Sequence, residues 1–526
     1  MTRLWTILGA ALGVVALTGC SLGEDLGAGG PAGAPNSGEL TIVAATVLSD
    51  LTGLSDQAAE DLGFGITLEF PGGTLDNSQA LSRGQFDGEV DATWFATNRY
   101  VHLIGASDKL ADETKIASSP VAFGVWEETA KELGWDAQQP TWADFAQAAQ
   151  EGKFTFGMTD PSASNSGFSA LVSVATAVAD TGQAVGPADV ERVSPTLAAL
   201  FHAQSLVSGS SGWLAEAFAS EADRADAIVN YESTLHQLRD QGHPISVIVP
   251  SDGVITADYP LSTLANPAHP DAADKVKAFA DWLIEHQEDI ALTYRRPVEA
   301  VDTLAAEIEA QQVIELPFPA NQGVVDDLLL AYNNEYRQPG TTTFVLDTSG
   351  SMVGERMESL RAIMLSLVDG SASTLIGDVS FRDRESVTFL PFSDEPREPF
   401  TVEFDRDNPK VITEVKAYLH VQTPIGSTAM YSALLDALEA TDTSQGIPSI
   451  VLLSDGEANV GPNYSQFEAA YQRLPAEKRR IPVFVILYGE ANRKEMEKLA
   501  GLTGGAVFDA LGGDLEAAFK EIRGYQ

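Results

Sequence analysis

The chain holds a single cysteine in 526 residues, Cys20. No intramolecular disulfide can form, and no set of thiolates can gather round a metal. Stability must come from packed cores and bound ligands. Cations are also scarce, since 32 Lys and Arg face 75 Asp and Glu for a formal charge of −43. Such a surface repels nucleic-acid phosphates and lacks the basic patch that an acidic membrane attracts. The seven histidines are scattered, with no His-Glu-x-x-His and no spacing that suggests a Ser/His/Asp set. The expectation is a binding protein and not an enzyme. The glycine-rich stretch Gly27-Ala28-Gly29-Gly30 follows no strand, so it is no nucleotide loop. Past the first residues there is no apolar run near the roughly 20 residues needed to cross a bilayer.

What is present begins with Arg3, an apolar run from Leu4 to Leu17, and the tetrapeptide Leu17-Thr18-Gly19-Cys20. A positive start, a short apolar core and small residues before a cleavage point make a secretory signal. These residues resemble the lipobox of bacterial lipoproteins, in which the signal is cut before a cysteine that then receives a diacylglyceryl group. The resemblance implies a signal peptide over 1–19, lipid on Cys20, and a body held at the extracellular face of the cell membrane by that anchor alone. An ordinary signal peptide with a cysteine at its cleavage point is the alternative. Residues 20–38 are rich in Gly, Ala and Pro and read as a flexible tether.

A chain this long exceeds one hydrophobic core, so two or three units are expected. Leu40-Thr41-Ile42-Val43-Ala44-Ala45 reads as a buried strand, and strand-length apolar runs then alternate with helical patterns as far as Leu283. Among them are Val121–Val125, Phe154–Met158 and Ile245–Val249 as strands and Trp142–Ala149 as helix. Trp94, Trp126, Trp135 and Trp142 read as core aromatics. A break at Gln338-Pro339-Gly340 opens a second series. It contains strands at Thr342–Leu346, Ser386–Phe392, Phe400–Phe404, Ser449–Leu453 and Pro482–Leu487. Helices are expected behind the first strand, with Met357, Leu360, Met364 and Leu367 inward, and at Thr428–Leu438, Tyr464–Leu474, Arg493–Leu499 and Leu515–Ile522. The central hairpin-like pair predicts one antiparallel edge on a parallel sheet. The fold class is α/β throughout.

Asp347-Thr348-Ser349-Gly350-Ser351 directly follows the strand Thr342–Leu346. In open α/β sheets the carboxyl ends of strands form the ligand crevice. Thr428 at a helix start and Asp455 at a strand end occupy equivalent places. Two carboxylates and three hydroxyls make a hard oxygen site for Mg²⁺ or Mn²⁺. Asp347, Ser349, Ser351, Thr428 and Asp455 together resemble the metal-ion-dependent adhesion site of von Willebrand factor type A domains. That resemblance implies a doubly wound Rossmann-like domain over 341–526. It further implies a protein partner that offers a carboxylate to the metal.

Residues 39–335 are similar to periplasmic-type solute-binding proteins, through Phe86-Asp87-Gly88-Glu89-Val90-Asp91, Ser119-Pro120-Val121-Ala122-Phe123-Gly124, Thr159-Asp160-Pro161-Ser162-Ala163-Ser164-Asn165-Ser166-Gly167 and Asp252-Gly253-Val254-Ile255-Thr256-Ala257-Asp258-Tyr259-Pro260. The resemblance implies two lobes closing on a small solute, with crossings near Phe154–Thr159 and Ser246–Pro250. Ser164, Asn165 and Ser166 precede a helix and would either bind the solute or simply cap the helix. Thr46 and Ser49 follow the first strand, and Tyr231 is placed to reach the same cleft. Asp50 and Glu232 would disfavour an anion there, leaving a neutral or cationic solute open. Arg83 is either a solute clamp or a surface cation. Three functions remain: a solute module coupled to a protein-binding module, an adhesion or envelope-assembly protein whose first domain binds nothing, and a plain importer receptor.

Overall fold

In the computed structural model, which describes residues 38–509 and Ile522 apart from 221, 223, 370–372, 375–376, 379, 406–407, 445, 456–457 and 489–492, the alternating pattern resolves into three large sheets. Cys20, the signal peptide, all but the last residue of the tether, and the expected helix Leu515–Ile522 save its final residue lie outside the described residues.

The first lobe is built on strands β1 (Glu39–Ala44), β2 (Gly65–Glu69), β3 (Ala92–Trp94) and β4 (Thr114–Lys115). The second contains β5 (Ala117–Trp126), β6 (Phe156–Thr159), β7 (Gln204–Ser208), β8 (Ala227–Tyr231), β9 (Ile245–Ile248) and β10 (Thr256–Ala257). Strand β11 (Pro260–Thr263) returns to the first lobe and β12 (Arg296–Pro297) to the second. The orders are β2-β1-β3-β11-β4 and β10-β5-β8-β6-β7, with β9 and β12 also on β5.

The chain therefore passes between lobes at Ile116, at Asp258–Tyr259, and between the helix Ala272–Glu285 and β12. This corrects the crossings expected near Phe154–Thr159 and Ser246–Pro250. There β6 pairs with β7 and β8, and β9 pairs with β5, so both segments lie inside the second lobe. The first two crossings are one or two residues long, too short to leave a break in an apolar pattern. Phe123 anchors the second lobe's core, stacked 3.8 Å from Phe145 and edge-on to Trp142, Phe154 and Phe156.

The helix Gln322–Ala331 and the turn Tyr332–Tyr336 lead into the second domain. Its sheet comprises β13 (Gly340–Asp347), β16 (Ser386–Phe392), β17 (Phe400–Glu403), β18 (Ile447–Ser454), β19 (Val483–Leu487) and β20 (Val507–Asp509), after a two-residue ladder of β14 (Ser373–Thr374) and β15 (Gly377–Asp378). The order is β17-β16-β13-β18-β19-β20, parallel except for the antiparallel edge strand β17. Successive side chains face opposite sides of a strand. Phe344, Leu346, Val451 and Leu453 thus enter one core with Leu360, Met364 and Leu367, while Val345, Ile450 and Leu452 enter another with Met430 and Leu434. Helices cover both faces, as a parallel sheet requires. The helix Pro409–Val421 and strand β20 complete the domain beyond what the sequence suggested.

Candidate functional site

Strand β13 delivers Asp347 to the carboxyl edge of the second domain's sheet, where its side chain is fully buried. Asp347 Oδ1 accepts from the Ser349 amide at 2.8 Å, and Oδ2 accepts from Ser454 Oγ at the end of β18. Ser349 Oγ lies 2.9 Å from Ser351 Oγ. The loop carrying Thr428 is drawn in by the Gly350 amide on Gly426 O at 2.9 Å and by the Ile425 amide on Thr348 O at 2.8 Å. Asn459 Oδ1 accepts from the Thr428 amide at 2.8 Å, tying that loop to the segment after β18. Burial pushes the Asp347 carboxyl up against the bonds from Ser349 and Ser454, and the nearby charge of Asp455 pushes the same way.

The donor set fits a hard divalent cation, because carboxylate and hydroxyl oxygens suit Mg²⁺ or Mn²⁺ and no softer ligand competes. Asp455 Oδ1 supports the fit, being buried without a hydrogen-bond partner. Its other oxygen accepts from Arg356 Nη1 at 2.8 Å, and Arg356 Nη1 also reaches Ser351 O at 3.3 Å. Among the described residues no three acidic, histidine or cysteine side chains cluster into a metal site, so any ion here depends on the hydroxyls.

In the second lobe, the helix Asn165–Ala179 begins at a buried knot of polar side chains. Ser164 makes no side-chain capping bond; its Oγ faces Ser166 Oγ at 3.4 Å. Ser166 Oγ contacts Thr159 Oγ1 at 2.9 Å and Ser211 Oγ at 2.8 Å, and Asn165 Nδ2 donates to Tyr231 OH at 2.9 Å. Asn165 Oδ1 is buried without a partner. Burial also pushes the Tyr231 hydroxyl pKa far up, so Tyr231 stays protonated. In the first lobe, Thr46 and Ser49 sit in the short 3-10 helix Thr46–Leu51, with Thr46 half-buried and Ser49 exposed. The lobes meet closely: a Cβ on Gly73 would lie 2.5 Å from Ala163 O.

The two acids that would deter an anion are already neutralised. Asp50 holds Arg295 through both oxygens at 2.8 Å, and Glu232 holds Arg296 at 2.8 and 2.9 Å. Arg83 is exposed just past the helix Thr74–Ser82, on the outer surface.

The family model for the von Willebrand factor type A domain matches residues 343–516, and that for a bacterial extracellular solute-binding protein matches residues 66–293. The chain joins a solute-binding domain to a von Willebrand factor type A (VWA) domain. Among curated proteins none matches it. Similar solved structures include the periplasmic binding protein AfuA from Actinobacillus pleuropneumoniae with fructose-6-phosphate bound, at 14% identity and TM-score 0.46 over 57% of this chain and 99% of that one. The sulfate-binding protein SubI from Mycobacterium tuberculosis aligns at 19% identity and TM-score 0.43, covering 55% and 98%. A periplasmic thiamin binding protein aligns at 14% and 0.45, covering 56% and 93%.

Around the VWA edge, sequence reasoning passed over Arg356, which sits in the amphipathic helix Glu355–Asp369 and has no motif of its own. In the solute-binding domain it passed over Gly73, Thr74 and Ser211. Thr74 Oγ1 accepts from the Ala96 amide at 3.1 Å at the start of a helix. The signal was there in Gly72-Gly73-Thr74, small residues before a helix that let another backbone come close.

Proposed function

We propose that this protein is an envelope lipoprotein, lipidated at Cys20, which closes its first domain on a small polar solute and binds a protein partner through Mg²⁺ or Mn²⁺ on its VWA domain. It acts by binding and not by catalysis. No helix among the described residues is long and apolar enough to cross a membrane, which is compatible with a lipid anchor. The observation that carries the reading is the oxygen edge of the VWA sheet. Asp347, Ser349, Ser351, Thr428 and Asp455 would hold the ion, whose chemistry is to accept a partner's carboxylate. Arg295 and Arg296 remove the electrostatic objection to an anionic solute, so its charge is left to the donors at Asn165, Ser166 and Tyr231.

Calorimetric titration of the full mature chain with MnCl₂ tests the metal reading directly. One ion should bind, and saturation at about a hundredfold excess over Kd should raise stability by about 2.7 kcal/mol. Asp347→Ala should abolish both effects. Equal binding by wild type and Asp347→Ala would place the ion elsewhere and end this assignment.

A further inference from the structure

The loop leading to Ser164, Asn165 and Ser166 is held from two sides. Asp160, at the end of β6, is 2% exposed and uses its carboxylate as a bridge. Its Oδ1 accepts from the Ser162 amide at 2.8 Å and from the Ser162 hydroxyl, while its carbonyl accepts from the amides of Ala163 at 3.1 Å and Ser164 at 2.9 Å. The other oxygen, Oδ2, accepts from Arg382 Nη2 at 3.2 Å, and Arg382 belongs to the VWA domain. Arg382 is fixed in its own domain. Phe381 beside it is buried in the VWA core, the Arg382 amide donates to Glu385 Oε2 at 3.1 Å, and the Arg384 amide donates to Phe404 O at 2.9 Å.

Further ties hold the segment that leads into the VWA domain against the second lobe. Tyr332 OH donates to Gln204 Oε1 at 2.8 Å, and Gln204 Nε2 donates to Met158 O on β6 at 3.1 Å. Gln338 Nε2 donates to His202 O at 2.7 Å. Arg337 is 1% exposed and its guanidinium lies 6.0 Å from the Tyr332 ring. Burial alone would raise the Asp160 carboxyl, yet Arg382 and Arg337, with the Ser162 bonds, hold it below the usual carboxylate range. A buried carboxylate of this kind depends on its hydrogen-bonded cation: removing Arg382 takes away the charge-assisted bond to Oδ2 and leaves only the more remote Arg337 charge to offset burial.

We propose that Arg382 of the VWA domain is a positioning residue for the solute site, holding Asp160 so that the loop from Ser162 to Ser166 and the first turn of its helix take their binding conformation. The inference rests on reading that loop as part of the solute site. It makes the two domains thermodynamically linked, because whatever shifts the VWA domain against the second lobe also shifts the loop, and the effect must run both ways.

Hydrogen exchange on the full mature chain tests this without any solute, so its failure would leave the solute reading intact. In Arg382→Met, the amides of Ser162, Ala163 and Ser164 should exchange at least about tenfold faster, the size expected when a charge-assisted bond is lost. Amides of β13 and β18 should keep their protection. Arg382→Lys should retain most of the loop's protection, since the charge remains. The double variant Asp160→Asn/Arg382→Met removes both charges and still offers an oxygen to Ser162, so it should recover protection that the single variant loses. Unchanged exchange at the three amides in Arg382→Met overturns the proposal. So does a uniform rise across both domains that the double variant fails to reverse.

Discussion

Arg356 Nη1 sits 2.8 Å from Asp455 Oδ2, a guanidinium resting on a carboxylate that the bound ion would also need. The pair leaves Oδ1 turned away from any protein donor. Arg356 therefore both orients Asp455 and opposes a second positive charge beside it. We expect the repulsion to dominate. Arg356→Met should bind Mg²⁺ about three- to tenfold more tightly at low salt, and the gap should narrow as ionic strength shortens the screening length from about 30 Å at 0.01 M toward 8 Å at 0.15 M. Calorimetry at two salt concentrations checks it, and weaker binding by the variant would show that orientation matters more.

Gly73 and Ala163 bring the lobes into backbone contact. A Cβ at Gly73 meets Ala163 O at 2.5 Å, well inside van der Waals distance and against an atom that cannot rotate away. Gly73 has φ −71°, so alanine is not strained by its own backbone. Gly73→Ala should therefore disfavour closure by about 1–3 kcal/mol, the usual penalty for overpacking. X-ray scattering should report a larger radius of gyration with thermal unfolding little changed. Identical scattering curves for variant and wild type would mean that the lobes do not close along this contact.

His236 carries a pH dependence. It is 4% exposed, beside Arg239, Arg296, Glu307 and Asp240, and stacked 5.3 Å from Tyr294. Burial, with Arg239 and Arg296, lowers its pKa to about 4 against the pull of Glu307 and Asp240. The folded state thus refuses a proton that the unfolded state accepts below about pH 6.5, so the unfolded chain binds more protons in that interval. Stability contributed by neutral His236 is complete above pH 6.5 and falls by up to about 1.4 kcal/mol per unit as the pH drops toward 4. Denaturant unfolding of His236→Gln should show a shallower slope over that range; an unaltered slope would assign it to other groups.

If Cys20 is the anchor, Cys20→Ser should move the protein from the membrane fraction to the medium. One acyl chain holds only marginally and firm anchoring takes two or more signals, so an unlipidated chain should not linger. Retention of the variant in washed membranes contradicts the anchor.

The longer VWA strands were legible because buried parallel strands are written as continuous apolar runs such as Phe344-Val345-Leu346 and Val451-Leu452-Leu453, whereas in the first domain only β1, β5, β6 and β9 were read and the other strands were missed. The antiparallel edge formed by β16 and β17 was legible from two runs close in sequence. Helix Pro409–Val421 was missed although Val411, Val415 and Leu419 recur at its spacing, because the polar residues between them dilute the stripe. The lobe crossings were illegible for another reason: Ile116 and Asp258–Tyr259 are defined by which strands pair, and pairing is not local information. Oxygen-bearing residues gathered at the strand ends, such as Asp347 and Asp455, could be placed from spacing, whereas the arginines that hold Asp50, Asp160, Glu232 and Asp455 could not. Each of those partners is at least 60 residues away along the chain.

Some charged side chains are withdrawn from the solvent altogether. Among the described residues four cations, Lys275, Arg295, Arg337 and Arg382, are buried together with six acids, Asp91, Asp160, Glu232, Asp347, Glu385 and Asp455. The face shown to water therefore keeps nearly all of the formal −43. A dense cloud of counter-ions must gather there, and its cohesion depends on the medium, while the enclosed guanidinium pairs are largely indifferent to it. Added salt should therefore relieve strain at the periphery without loosening the junction between the domains, a combination suited to brine and poorly suited to dilute buffer.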